Sequence, residues 1–458
     1  MTTIQEILSL APEEAVKELQ TKSIEIPSWE DLKKQYDPKE HPVMDETLYP
    51  DIPTDDGGIE KVTRVTLDLQ RLAVKRTTEL CFGIPVRRVY KAQTDNEKII
   101  AKAIESILQR NRIDSVNIER GNMLFGSCET ATIWFIIEEP NTLYGFESKL
   151  KLRCRNYSPM NGDSIYPLFD AETNDMVALS FGYTRKEGDK DVEYLDVYTS
   201  DKHIRYKKAD SWIVEITEII LIGKIPAVYC YRPTAIWEDT SNIVEEIEWT
   251  LSRNGNYLRR NLKPIIVLFA DEEVAMGNEK GSNKEFRAIA QYPKGSDLRY
   301  VTWEQAIENL KFYIGELRQS FFTQLQLPDW SYESMKTTPM SGEARKQMFI
   351  DAQLKVKDEG GRLLEMLDRE INIIKAFLKI MMPGKDADID SLQIESIITP
   401  FAINDDNDTI TNLMTATGGK AIVSQREGIA MLGWSDDPDA TLRQIKEESR
   451  VDEFELTE

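Results

Sequence analysis

The chain has 458 residues, 41% of them hydrophobic, and carries 57 basic against 79 acidic residues, a formal net charge of −22. This length and composition predict two or three domains with an apolar core and exclude a wholly disordered chain. The acidic excess excludes a conventional DNA-binding protein, which neutralises phosphates with Lys and Arg.

Hydropathy and cysteine usage narrow the class of protein further. The sequence has no run of 18 apolar residues, and its N-terminal stretch is acidic where a signal peptide requires a basic region. We therefore expect a soluble protein with no membrane partner. Only two histidines are present, His41 and His203, and no CxxC pair occurs among Cys81, Cys128, Cys154 and Cys230. This set predicts buried thiols in a reducing compartment and no zinc site.

The first half of the chain changes from polar to mixed α/β. Residues 1–58 predict a polar arm with one short helix near 12–20 and no strong core pattern. Thr94 and Glu97 form a capping box before a helix. The apolar face of that helix comprises Ile100, Ala103, Ile104, Ile107 and Leu108. The strand "TATIWFII" follows, and residues 145–235 alternate as the short strands of a β-meander.

Two amphipathic helices, 240–264 and 303–325, flank a compact insert at 265–302. In the first helix Gly255 favours a bend, and Thr302 with Gln305 predicts a capping box for the second. Their apolar stripes consist of Ile243, Ile247, Leu251, Leu258 and Leu262, and of Trp303, Ile307, Leu310, Ile314, Leu317, Phe321 and Leu325. An ordinary bundle core explains either stripe alone. Together, stripes this long indicate partners, which include other copies of the chain.

The second half continues with "QLPDWSYESMKTTPMSG", a long connection between helices. Connections longer than about 12–15 residues are uncommon and usually functional or disordered. Residues 342–382 predict a long helix with a kink at Gly360–Gly361, ended by Pro383. Residues 383–420 predict a strand, "LQIESIITPFAI", and 421–458 predict two helices. The caps of those last helices are Ser424 with Glu427, and Asp437 with Pro438 at the first helical position.

No motif indicates an enzyme, a cofactor or a metal. "GNEKGSNK" and "GGKAIVS" lack the spacing of a phosphate-binding loop. "DADID" lacks the Gly at position six and the Glu at position twelve of a calcium loop, and "INDDNDT" is likewise predicted to be a solvated acidic turn. Neither histidine lies in a catalytic sequence. A catalytic pair of carboxylates stays open, because 79 acidic residues make any such pair uninformative.

The order of several blocks resembles a known family over roughly residues 60–450. The blocks are "ELCFGIPVRRVY", "NEKIIAKAIESILQRNRIDSVNIERGNMLFGSCETATIWF", "YLDVYTSDKHIRYKK", "GKIPAVYCYR" with "SNIVEEIEWTLSRNGNYL", "MSGEARKQMF", and "IVSQREGIAMLGWSDDPDATLRQIKEE". In this order they resemble the portal protein, or head-to-tail connector, of long-tailed double-stranded DNA bacteriophages. Each block alone is weak. No block in the first 58 residues can be placed in the family, and we expect a short C-terminal crown.

The resemblance implies an α+β portal fold whose subunits form a cyclic ring, usually of twelve copies. The implied regions are a polar arm (1–58), an α/β wing (59–239) with a returning strand (383–420), a stem of two helices (240–264 and 303–325), a small α/β clip (265–302), a tunnel loop (326–341), a long helix (342–382) and a helical crown (421–458). Such a ring would lie at one vertex of the capsid in the virion, after assembly in the host cytoplasm.

The resemblance also implies partners and site residues. Double-stranded DNA would pass through the ring without sequence preference. The terminase large subunit and a head-completion or adaptor protein would bind the clip, and the major capsid and scaffolding proteins the wing. The tunnel-loop residues would be Asp329, Trp330, Tyr332, Glu333 and Lys336, and the clip residues Glu272, Glu273, Lys280 and Lys284. The charge of −22 suits a conduit, because each phosphate contact would hold the DNA.

Two other functions remain open at this point. One is a phage-encoded enzyme acting on nucleic acid or another polymer, with the helical hairpin as an interaction arm. The other is a monomeric binding module. A native mass measurement separates these from a ring, which requires a large multiple of the 52.7 kDa subunit.

Overall fold

The computed structural model describes residues 3–53, 57–261, 265–269, 297–301, 307–329, 350–400, 406–418, 422–435 and 438–455. The helices in these ranges are α1 (Ile4–Ser9), α2 (Pro12–Leu19), α3 (Trp29–Tyr36), α4 (Leu69–Phe82), α5 (Asp95–Arg110), α6 (Ile113–Ser127), α7 (Ser241–Asn261), α8 (Ile307–Gln324), α9 (Ile350–Met381), α10 (Asp386–Ser391), α11 (Asp406–Thr417), α12 (Gln425–Leu432) and α13 (Pro438–Glu455).

The strands are β1 (Ile52–Pro53), β2 (Ile59–Glu60), β3 (Arg87–Tyr90), β4 (Glu129–Asn141), β5 (Ser148–Tyr157), β6 (Ser164–Phe169), β7 (Met176–Glu187), β8 (Lys190–Tyr198), β9 (Lys202–Lys208), β10 (Trp212–Ile219), β11 (Ala227–Tyr231), β12 (Ile265–Phe269), β13 (Asp297–Val301) and β14 (Ile394–Ile397). They form a five-stranded sheet, a three-stranded sheet and three strand pairs. The described chain is therefore a mixed α and β protein.

The main core lies between helices α4, α5, α6 and α9 and the three-stranded sheet, whose order is β11-β4-β5. The predicted capping box of α5 is confirmed: Thr94 accepts a hydrogen bond from the Glu97 N–H, and the Glu97 carboxylate accepts one from the Thr94 N–H. The predicted apolar face of α5 is buried in this core. The capping box and the apolar face of α5 thus agree with its position in the core, as expected for an amphipathic helix.

The five-stranded sheet is the predicted β-meander, with order β10-β9-β8-β7-β6 and every pair antiparallel. Its two faces are covered by different elements. Leu195 and Val197 pack with residues of α1 and α2, whereas Leu179 and Phe181 pack with the three-stranded sheet. Side chains of a strand alternate between the two faces, so this sheet is sandwiched rather than open to solvent on one side.

The N-terminal arm differs from its prediction. Its single predicted helix corresponds to α2, but α1 and α3 accompany it, and all three contribute buried residues. Lys22 lies 2.5 Å from the buried carboxylate of Glu129, which also accepts a hydrogen bond from Tyr229. Burial raises the pKa of Glu129, and the Lys22 ammonium opposes that rise. The arm thus contributes buried residues although its sequence shows no strong core pattern, because helices of six to eight residues have too few turns to reveal an apolar face.

Helix α9 runs for 32 residues, about 48 Å, without interruption at Gly360 or Gly361. Most of its inward side chains are apolar, but Glu370 is fully buried and lies 2.7 Å from Arg120 of α6 and 3.8 Å from Arg88 of β3. After α9 the chain returns to this region, because β14 pairs antiparallel with β3. The strand predicted from "LQIESIITPFAI" is present as β14, and Glu370 lies where α6, α9 and β3 meet.

The residues after α9 complete the described chain. The segment "DADID" forms the short helix α10, in which Asp390 pairs with Lys379 and Asp388 accepts from Asn96. The capping box of Ser424 and Glu427 is confirmed at α12, and α13 begins at Pro438 as predicted. Asp437 lies outside the described residues.

We predict that Glu370→Gln lowers the free energy of unfolding by about 3–5 kcal/mol, because it leaves two buried guanidinium groups without a counter-charge. The control is Glu365→Gln on the same helix, whose partner Arg369 is exposed at the surface. The control should cost no more than about 0.5 kcal/mol. Urea unfolding measures both, and equal losses in the two variants would contradict the assignment.

Candidate functional site

The two predicted amphipathic helices are present as α7 and α8, and they lie against each other. Tyr313 of α8 donates a hydrogen bond to Glu246 of α7 at 3.1 Å. Beyond the two helices, β12 and β13 form an antiparallel pair in which Ile265 lies opposite Val301. The two helices are thus arms of one hairpin, with the strand pair at its far end.

The predicted stripe residues are covered unevenly within one chain. Ile247 and Phe321, at the end of the hairpin nearest the core, are buried. Farther along, the residues Leu251, Leu310, Ile314 and Leu317 are half-buried. Leu258 is 44% exposed, and Phe312 beside the stripe is 69% exposed. Trp303 and the side chain of Ile307 lie outside the described residues. The outer part of the hairpin therefore presents apolar surface that the described residues leave uncovered.

An extended segment, residues 62–67, lies along α7 and is called the strap here. The N–H groups of Thr63, Val65 and Leu67 donate to Asn256, Ser252 and Glu248 at 2.6, 2.9 and 2.7 Å respectively. Donors two residues apart lie on one edge of an extended chain, and acceptors four apart lie on one face of a helix. The strap and α7 therefore run antiparallel.

Gly255 has a different role from the one its sequence position predicts. Helix α7 continues through this residue from Ser241 to Asn261. A Cβ atom at Gly255 would lie 3.3 Å from Cγ2 of Thr63 in the strap. The glycine therefore permits close approach of the strap, and the helix is continuous at the residue where a bend was expected.

His41 joins the N-terminal arm to the same face of α7. Its ring is buried, with Nδ1 2.8 Å from Glu248 Oε1 and Nε2 2.7 Å from the Gln35 carbonyl oxygen. Because a carbonyl oxygen only accepts, Nε2 donates to the Gln35 carbonyl, while Nδ1 faces the Glu248 carboxylate. Glu248 thus holds both the arm and the strap on α7, and His41 has a structural position.

The strap is also held on its other side. Arg64 donates to the carbonyl oxygen of Tyr49 and to the carboxylate of Asp51, which accepts from the Val62 N–H as well. The hydrogen bond from the Val62 N–H is the largest of the effects that lower the pKa of Asp51. The first hairpin helix is therefore fixed laterally before the chain enters the insert.

Sequence reasoning missed the strap and its acceptors. The signal was present in α7, where Glu248, Ser252 and Asn256 recur every fourth residue beside the apolar stripe. Glu248 and Ser252 are almost completely buried, which is unusual for such residues unless they are hydrogen-bonded. The strap itself carries no periodic pattern, because its contribution is made by backbone N–H groups.

The end of α8 begins the predicted tunnel loop. Gln326 adopts a left-handed conformation with φ of 54°. The Leu327 N–H donates to the Phe322 carbonyl, and the Gln326 N–H to the Thr323 carbonyl. This is a Schellman ending, accompanied by buried side chains at Phe322 and Leu327. The chain therefore leaves α8 in a defined direction.

Asp329 is the only proposed tunnel-loop residue inside the described ranges, and its carboxylate lies 3.4 Å from Arg318 of α8. The other predicted site residues lie outside the described residues. They are Trp330, Tyr332, Glu333 and Lys336 of the tunnel loop, and Glu272, Glu273, Lys280 and Lys284 of the clip.

The described residues contain no group of three or more His, Cys, Asp or Glu side chains that could hold a metal ion. Within the same ranges, no helix is both long and apolar enough to cross a membrane. The candidate site is instead a helical hairpin that is held by hydrogen bonds at its base and is apolar along its outer part.

A protein-family model matches nearly the whole chain. Residues 18–453 match a family model described as phage portal protein, SPP1 Gp6-like. The model thus starts within α2. Comparison with curated proteins gives no match.

Solved structures show a loose likeness. A chain in the neck of an empty GTA particle computed with C6 symmetry has TM-score 0.41 and 10% identity, covering 87% of this chain and 95% of that chain. A chain in the virion of a native gene transfer agent (GTA) particle has TM-score 0.42 and 10% identity, with 92% and 98% covered. A third, in the neck of a native GTA particle computed with C12 symmetry, has TM-score 0.40 and 10% identity, with 90% and 95% covered.

We predict that Ser252→Ala loosens the strap, because the Val65 N–H loses its acceptor. The free energy of unfolding should fall by about 1–2 kcal/mol, and hydrogen exchange in residues 63–67 should accelerate. Arg253→Ala, at the exposed neighbouring position, is the control and should change neither quantity. Unchanged exchange in the strap of Ser252→Ala would show that this hydrogen bond does not hold it.

Proposed function

Because the chain belongs to the SPP1 Gp6-like family of phage portal proteins, we propose that it forms a ring at one vertex of a capsid. The double-stranded genome is packaged and ejected through this ring. The observation that carries the proposal is the family match over residues 18–453. The chain acts as a structural conduit in this proposal, and no catalytic role is assigned to it.

The uncovered surface of the helical hairpin supports a ring. Leu258, Phe312 and the half-buried Leu310, Ile314 and Leu317 need apolar partners that one chain does not supply. In a ring each subunit meets its two neighbours through two different faces. The hairpin has such faces beside the one that the strap occupies. We propose twelve subunits per ring, the usual number in the family that the sequence resembles.

We assign the regions of the chain by their order. Residues 59–239 with the strand β14 form the wing, α7 and α8 the stem, and 265–302 the clip. Residues 326–341 form the tunnel loop, and the C-terminal helices the crown. The clip binds the terminase large subunit and then a head-completion protein, and the wing contacts capsid and scaffolding proteins.

The charge of the subunit supports passage of DNA rather than binding. A protein that neutralises several phosphates with Lys and Arg holds DNA tightly and releases counterions. A net charge of −22 per subunit disfavours that retention. In the tunnel loop, Lys336 then supplies a transient phosphate contact, while Asp329 and Glu333 limit its strength.

We predict that the purified chain has a native mass that is a large multiple of 52.7 kDa. Replacing both Leu310 and Leu317 with Asp should give monomers or small aggregates, because the charges enter the apolar stripe of the stem. Lys311→Asp introduces the same residue at an exposed position of α8 and should leave the ring intact. Intact rings from the double variant would remove these leucines from the stem packing.

We predict that changes in the tunnel loop spare assembly and impair DNA translocation or retention. The variants are Lys336→Ala and a Gly/Ser linker in place of residues 331–337, tested in a packaging assay with assembled rings. Lys357→Ala, at an exposed position of α9, is the control and should package normally. Normal packaging and retention in both loop variants would show that the loop is only a connection.

A further inference from the structure

Among the described residues, one side-chain hydrogen bond connects the two ends of the segment between α8 and α9. The ammonium group of Lys355, in the second turn of α9, donates to the carbonyl oxygen of Leu325 at 2.6 Å. Leu325 directly follows the last residue of α8. The two residues are 30 positions apart in the chain, so this contact spans the whole intervening segment.

The accepting carbonyl belongs to a helix end. The last carbonyl groups of a helix lack partners within the helix, and a Lys side chain is one of the groups that satisfies them. The Schellman bonds of Gln326 and Leu327 occupy the carbonyls of Thr323 and Phe322. Lys355 takes the carbonyl of Leu325, so the α8 ending depends on a residue of α9.

The surroundings of Lys355 leave its ammonium directed at this carbonyl. Glu359, one turn along α9, pairs through one oxygen with Arg232 at 2.6 Å and through the other with Arg362 at 3.5 Å. Cys81 of α4 is the other titratable group nearby, apart from Asp358 on α9 itself. The nearest buried carboxylate is therefore already engaged by two guanidinium groups.

We propose that Lys355 is a positioning residue for the tunnel loop. Its hydrogen bond fixes the end of α8 against the start of α9. It thereby sets the place at which the chain leaves the stem after Asp329. The inference rests on the proposed function, because that function assigns the segment after Asp329 to the channel wall. Arg318 and Asp329 near the end of α8 and Asp351 at the start of α9 line one cavity of about 410 Å³, so the two ends lie close to each other.

Titration of Lys355 makes the strength of its contact with Leu325 depend on pH. Burial, followed by the charge of Arg232, lowers the pKa of Lys355 from 10.5 to about 8. In the open state, in which the Lys355–Leu325 hydrogen bond is broken, the amine is in water and has its ordinary pKa. Between pH 8 and 10.5 the closed state, in which the bond is formed, therefore binds fewer protons than the open state. Closing therefore strengthens as pH rises. Cys81, whose pKa burial raises to about 12, stays protonated throughout.

The test is hydrogen exchange by mass spectrometry on the full chain, followed in peptides covering residues 322–329 and corrected for intrinsic rates. From pH 7 to 9, protection of the Gln326 and Leu327 amides in the unmodified protein should rise about tenfold, as the two pKa values require. In Lys355→Met the profile should be flat. At pH 9 this variant should be about tenfold less protected than the unmodified protein, because Met donates no hydrogen bond.

Lys357→Met is the matched control, since Lys357 is exposed two residues farther along the same helix. It should follow the unmodified protein at every pH. Equal protection in the unmodified protein and Lys355→Met at pH 9, or a flat profile in the unmodified protein, would overturn the proposal. The experiment uses neither DNA nor a partner, so its failure leaves the ring untouched. Conversely, a monomeric mass would refute the ring without altering this contact.

Discussion

Glu370 lies in the middle of α9 with no exposure to solvent, and guanidinium groups from α6 and β3 approach its carboxylate. Separating these charges in a low-dielectric interior would be costly, so the contact favours the placement of α9 in which the three groups meet. The β3 strand is in turn paired with β14, the strand that follows α9. The remaining elements of the core are arranged around a helix whose position is set in this way.

The same helix carries polar contacts near both ends. Near its start, Lys355 binds the end of α8 and Glu359 pairs with Arg232 after β11. Near its end, Lys375 donates to the carbonyl of Leu392, which follows α10. A purely apolar helix can rotate or slide against its neighbours with little penalty, whereas these contacts each specify one register. Helix α9 therefore connects the core to the base of the hairpin formed by α7 and α8.

The sequence predicted what periodicity and caps encode. The α5 box at Thr94, the β-meander, the order of α7, α8 and α9, and the cap of α12 at Ser424 all follow from side-chain patterns that short-range physics requires. The strap could not be found in this way, because its donors are backbone groups and its acceptors lie more than 180 residues away in the chain. The Schellman ending of α8 could not be predicted from the sequence either. Gln326 occupies the left-handed position where Gly is the usual signal.

The contacts that hold the helical hairpin and the proposed contacts with DNA differ in how strongly salt screens them. The strap, the His41–Glu248 pair and the Lys355 contact are short-range and at least partly buried, so salt screens them weakly. Contacts between loop side chains and phosphate, as proposed for the ring, would be screened by salt and would weaken further through competition from counterions. If the chain forms the proposed channel, its supporting contacts would therefore keep the same strength in salt while its contacts with DNA would not. Rigid support and weak contact with DNA would then rest on different residues of the same chain.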